Sequence, residues 1–72
     1  MRKKNKIKIT VNGKQTIINS NFSLKNLVYK LEIPLNKIAI EYNREIIDKK
    51  KIKKILLSKN DKVEIVHFIG GG

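Results

Sequence analysis

Lys62-Val63-Glu64-Ile65-Val66-His67-Phe68-Ile69-Gly70-Gly71-Gly72 is the stretch on which the reading of this chain turns. Its first part alternates. Val63 and Ile65 take one side and Glu64, Val66 and Phe68 the other, as in a strand with one buried face. The strand runs into three glycines with no linker between. A glycine tail can enter a slot too narrow for any side chain, because no Cβ is present. Read as the end of the chain, it offers the carboxylate of Gly72 on a thin stalk. The chemistry open to such a group is activation by a nucleotide, then displacement by a nucleophile. A frayed end or an expression scar is the plainer alternative. Scars usually carry Ser or tag residues, and none stands here. A phosphate-binding glycine loop needs a helix after it to supply N–H groups, and the sequence has nothing after Gly72.

Upstream, the chain reads as a small mixed structure. Residues 1–5 form a loose basic start. Lys6-Ile7-Lys8-Ile9-Thr10-Val11 alternates, with Ile7, Ile9 and Val11 on one face. Asn12-Gly13 follows, the strongest short hairpin signal, since a type I′ turn needs positive φ at both positions. Lys14–Asn19 is the return strand, in which the pattern leaves open whether Ile17 or Ile18 faces inward. Ser23 is a good helix N-cap. Leu24, Leu27, Val28 and Leu31 then fall at i, i+3, i+4 and i+7, with Phe22 and Leu27 as a hydrophobic staple. Pro34 is expected to stop the helix. Residues 37–42 make a third strand, with Ile38 and Ile40 inward. Asn43-Arg44 turns into a short strand, Glu45-Ile46-Ile47. Asp48 caps a brief helical turn in which Ile52, Ile55 and Leu56 point inward and the lysines face solvent. One helix cannot cover both faces of the sheet. Val66 and Phe68 are therefore expected on an open face beside the tail, as a docking surface. His67 reads as a strand-end residue without a role.

Composition bounds the rest. Seventy-two residues make one domain, 1–72, whose small size allows only modest stability. There is no Cys, so no disulfide or thiolate metal site, and a single His builds neither a metal site nor a triad. Sulfur handled by this chain would have to sit on the terminal carboxylate. The net charge of +11 suggests an anionic partner. Yet Ile, Lys and Asn make up half of the residues, and only two cations are Arg, a bias that A/T-rich coding would give. Nucleic-acid sites favour Arg and stacking aromatics, so drift outweighs dedicated nucleic-acid binding. No apolar run approaches a membrane span, and no signal core follows the basic start. A cytoplasmic location, or a plastid stroma, is the expectation.

Hairpin, helix, three further strands and a glycine ending make up the ubiquitin-like β-grasp pattern, an α+β fold with a mixed sheet on one main helix. Within it, Ile7-Lys8-Ile9-Thr10-Val11-Asn12-Gly13, Ile38-Ala39-Ile40-Glu41-Tyr42-Asn43-Arg44-Glu45-Ile46-Ile47 and the ending from Asp61 to Gly72 resemble the ThiS family, the sulfur carriers of thiamine biosynthesis. Two turn positions depart from the family: Asn60 stands where Gly is usual, and Asp48 where Pro is common.

The resemblance implies a carrier and not an enzyme. An E1-like (ThiF-like) adenylating enzyme would use ATP and magnesium to adenylate Gly72, and the carrier itself would hold no cofactor. A persulfide sulfur donor would convert the adenylate to a thiocarboxylate, and a ThiG-like thiazole synthase would take the sulfur. Gly70 and Gly71 would give the tail reach and slimness. Val66, Phe68 and Ala39 would supply docking surface. Three rival readings share the fold. One is the small subunit of molybdopterin synthase, and a second is a ubiquitin-like modifier. The third, from a different class, is a small basic RNA-binding module.

Overall fold

The computed structural model describes residues 5–68. Strands β1 (Lys6–Val11) and β2 (Lys14–Asn19) form a hairpin, followed by helix α1 (Leu24–Lys30). Strand β3 (Ile38–Tyr42), the two-residue β4 (Glu45–Ile46) and β5 (Lys62–His67) complete a five-stranded sheet in the order β2-β1-β5-β3-β4. β1 and β5 run parallel at the centre, and every other pairing is antiparallel. Short 3-10 helices at Leu35–Lys37 and Lys49–Lys54 link the pieces.

Asn12 and Gly13 both have positive φ, 50° and 82°, as the hairpin requires. Asn43 and Arg44 do the same at the second tight turn, with φ of 50° and 74°. Asn60 has φ of 70°, so it occupies the left-handed conformation that Gly would take there.

The core lies on one face of the sheet, under α1 and the second 3-10 helix. Ile9, Val11, Ile18, Ile38, Ile40, Val63 and Ile65 meet Leu24, Leu27, Val28, Ile52 and Leu57 there. The register settles the ambiguity in β2: Ile18 pairs with Ile7 and is buried, while Ile17 faces outward. Removing a fully buried side chain such as Leu27 would cost about 2–5 kcal/mol. That is a large part of what a domain this small has to lose.

At its start, α1 matches expectation and adds to it. Ser23 accepts from Asn26 N–H at 3.0 Å, and Asn26 Oδ1 accepts from Ser23 N–H at 3.0 Å, a reciprocal capping box. At its other end the helix stops earlier than Pro34 requires. Leu31 is the C-cap and Glu32 turns left-handed with φ of 56°. Leu31 is therefore 39% exposed and does not continue the buried stripe. A second correction falls after the 3-10 helix. Ile52 is buried and Ile55 packs against the core, but Leu56 is 61% exposed and Leu57 takes the inward place. The chain is extended at that point, so its side chains alternate and do not follow a helical period.

Candidate docking face and tail

The uncovered face of the sheet carries the expected side chains. Val66 is 59% exposed and Phe68 55% exposed. Ala39, half-buried, lies directly across from Val66 in the β3–β5 register. These three residues thus form one apolar patch where β5 ends. One step back along the strands, Glu41 faces Glu64. Beyond Glu41, on β4, Ile46 is 77% exposed. Sequence reading missed Ile46, because two adjacent isoleucines, Ile46 and Ile47, in a short strand gave no alternation to follow. Gly70, Gly71 and Gly72, which the sequence singles out, lie outside the described residues.

Three side chains fix the position of β5. β1 pairs with β5 only at Thr10–Lys62 and Val11–Val63, and then turns away. Asn12 takes over the ladder: its N–H donates to Val63 O at 2.9 Å, and its Oδ1 accepts from Ile65 N–H at 2.7 Å. Asn43 does the same work on the other side. Its N–H donates to Lys62 O and its Oδ1 accepts from Lys62 N–H, both at 2.8 Å. Asp61, buried at the start of β5, accepts from Tyr42 Oη–H at 2.7 Å, Asn43 Nδ2–H at 3.2 Å and Ser58 N–H at 2.7 Å. Burial, and then the Asp61 carboxylate beside it, push the Tyr42 hydroxyl up to about 12. Both asparagines were legible as turn residues. Their bonds to β5 were not, because they join positions about 20 and 50 residues apart in sequence.

At the far end of β5, Phe68 N–H donates to Lys37 O at 2.9 Å and carries the ladder one step past the strand. The Phe68 ring lies 5.7 Å from Lys49 Nζ. His67 pairs with Ile38 and is exposed. No three His, Cys, Asp or Glu among the described residues come together where a metal ion could sit. Every buried polar side-chain atom there has a hydrogen-bond partner. The arrangement offers a strand fastened on both sides, with an apolar patch at its exit.

The sequence model of the ThiS family matches residues 4–72. The chain belongs to the ThiS family. The match runs through Gly72, so the glycine ending is part of what is shared. The sulfur carrier protein ThiS of Bacillus subtilis (strain 168) is 51% identical over 45 residues, which are 61% of this chain and 64% of that protein. A crystal structure of the thiamine biosynthesis protein ThiS from Geobacter metallireducens superposes with a TM-score of 0.80 at 25% identity, covering 92% of this chain and 100% of that one. The ThiS-type β-grasp fold is therefore the architecture of this chain. The thiazole synthase of Paramagnetospirillum magneticum is 33% identical over 66 residues, 92% of this chain. This chain spans only 20% of the length of that synthase.

Proposed function

We propose that this chain is a sulfur carrier of thiamine biosynthesis, loaded at the Gly72 carboxylate and unloaded by a thiazole synthase. The observation that carries the reading is the family match extending through Gly72. The apolar patch of Val66, Phe68 and Ala39 supports it, since an activating enzyme needs a surface to hold while the tail is in its nucleotide site.

Loading begins when a carboxylate oxygen of Gly72 attacks the α-phosphorus of ATP. Pyrophosphate leaves with magnesium, and an acyl-adenylate remains. The terminal sulfur of a persulfide then attacks the acyl carbon and expels AMP. A thiol opens the resulting acyl disulfide, leaving a thiocarboxylate on Gly72 and a disulfide on the donor side. The carrier contributes no acid, base or metal to these steps, which belong to a ThiF-like adenylating enzyme and a persulfide donor. The thiazole synthase reading draws on the synthase from Paramagnetospirillum magneticum, whose chain includes a stretch similar to this one beside a much longer remainder. A carrier joined to its acceptor in one chain is what direct sulfur transfer between the two would favour.

Intact mass tests the reading. The protein is incubated with ATP, magnesium, a sulfide source and a ThiF-like enzyme proven on its own carrier. The expected result is a gain equal to exchange of one oxygen for sulfur, mapped to the peptide that ends at Gly72. An unchanged mass would overturn it.

A further inference from the structure

Lys49 is one of five lysines between positions 49 and 54, and by sequence it reads as one more solvated charge. Its side chain does something different from that of a solvated lysine. Nζ donates to Leu35 O at 3.0 Å and to Ile38 O at 2.8 Å, and its position over the Phe68 ring puts an aromatic face within cation–π range. The two carbonyls belong to the 3-10 helix before β3 and to the first residue of β3. Between them lies Lys37, whose carbonyl accepts the Phe68 N–H. Lys49 therefore ties down, from the other side, the same short segment that holds Phe68 by its backbone.

The reason for this contact is the shortness of β4. Ile47 N–H donates to Ile40 O, the last backbone bond along that edge of β3. Carbonyls two residues apart in a strand point the same way, so Ile38 O is the next acceptor and has no strand beside it. The ammonium fills the place of the missing N–H. The backbone at Lys49 is itself set by Asp48, whose Oδ1 accepts from Lys50 N–H at 2.9 Å at the start of the 3-10 helix.

We propose that Lys49 is a positioning residue for loading the tail: it holds the Phe68 ring and the β3 edge together, so that the chain leaves the sheet from a fixed point. This rests on the sulfur-carrier reading for its consequence, though not for its geometry. Activation requires the tail to reach a nucleotide site while the sheet is docked. A wandering Phe68 would spread the tail over many directions and lower the fraction that arrives correctly placed. Lys49 touches no reacting atom and acts only through Phe68.

The test compares Lys49→Met, Lys49→Arg, Phe68→Leu and the double variant Lys49→Met/Phe68→Leu. Met keeps the aliphatic stem and loses the charge and donors, whereas Arg keeps both. Two readouts are taken: hydrogen exchange of the Phe68 amide, and pyrophosphate release by a ThiF-like enzyme with ATP and magnesium. Lys49→Met is expected to exchange the Phe68 amide faster and to lower kcat/KM about fivefold, on the scale of one lost cation–π contact. Lys49→Arg is expected to restore both. In the Phe68→Leu background, Lys49→Met should add little, because the two act as a unit. Wild-type amide exchange in Lys49→Met overturns the proposal, as does a full additive loss in the double variant. If even the wild-type protein releases no pyrophosphate, the carrier reading fails. The anchoring role of Lys49 is then decided by the amide exchange alone.

Discussion

At the scale of single residues, the hydrogen bond from Tyr42 to Asp61 makes a pH-dependent contribution whose sign is fixed. The hydroxyl is raised from 10.0 to about 12 in the folded chain, first by burial and then by the carboxylate. A raised acid holds its proton longer when folded than when unfolded, so its contribution is complete below about pH 10. It is lost as pH climbs from about 10 to about 12. The stability difference between the wild-type protein and Tyr42→Phe should be flat below pH 10 and shrink above it. Asp61→Asn keeps an acceptor for the hydroxyl and for Ser58 N–H but removes the charge. The tyrosinate absorbance of Tyr42 should then appear at lower pH than in the wild-type protein. An unchanged midpoint would mean that the carboxylate has no part in the shift. Asp61 directly precedes β5, the strand that carries the proposed docking patch, so this bond bears on the proposed function through the placement of that strand.

At the scale of elements, two hairpin turns were built with different success. Asn12-Gly13 uses the residues a type I′ turn prefers, while Asn43-Arg44 places Arg at φ of 74°. A side chain with a Cβ in that region costs about 1–2 kcal/mol, and Gly recovers part of this while adding about 0.5–1 kcal/mol of unfolded-state entropy. Arg44→Gly should therefore stabilise the domain by about 0.5–1 kcal/mol, read as a higher denaturant midpoint with the same slope. A lower midpoint would show that the Arg44 side chain makes a compensating interaction. These turns also show what a sequence can and cannot disclose. Turn chemistry is local, so both hairpins were readable, and so was the alternation that puts Val66 and Phe68 outside. Leu31 was misplaced because the helix ends by a left-handed Glu32, which nothing in its residue type announces. Leu56 was misplaced because an extended linker keeps no helical period. Ile46 sits in a strand too short to show a pattern. Lys49 was invisible for another reason: five lysines in six positions look alike until two carbonyls single one out.

At the scale of the whole molecule, the open question is the net charge of +11. The second 3-10 helix, with Lys50, Lys51, Lys53 and Lys54, packs beside α1 on the covered side of the sheet, away from Val66 and Ala39. Lys49, which begins this helix, reaches Phe68, but among the described residues Lys50, Lys53 and Lys54 make no cation–π contact with the proposed docking face, where Glu41 and Glu64 oppose each other. At physiological salt, charges separated by more than about 8 Å are largely screened. A carrier that docks through its open face should not depend on these lysines, whereas an RNA-binding module should. Replacing Lys50, Lys53 and Lys54 together with Gln gives the decisive variant. All three are exposed, and none has a side-chain hydrogen bond among the described residues, so the fold should survive. Pyrophosphate release with a ThiF-like enzyme should stay within about twofold of wild type, since only weak long-range steering is lost. The same reaction should be nearly insensitive to salt between 50 and 200 mM, where a phosphate-backbone binder would lose about three orders of magnitude or more in affinity. A large loss of activation in the triple variant would place these lysines in the activating interface and would make the charge a selected feature. Retained activation would leave the charge as a coding bias spread over surfaces that tolerate it, and the function with the patch, the anchored strand and the glycine tail.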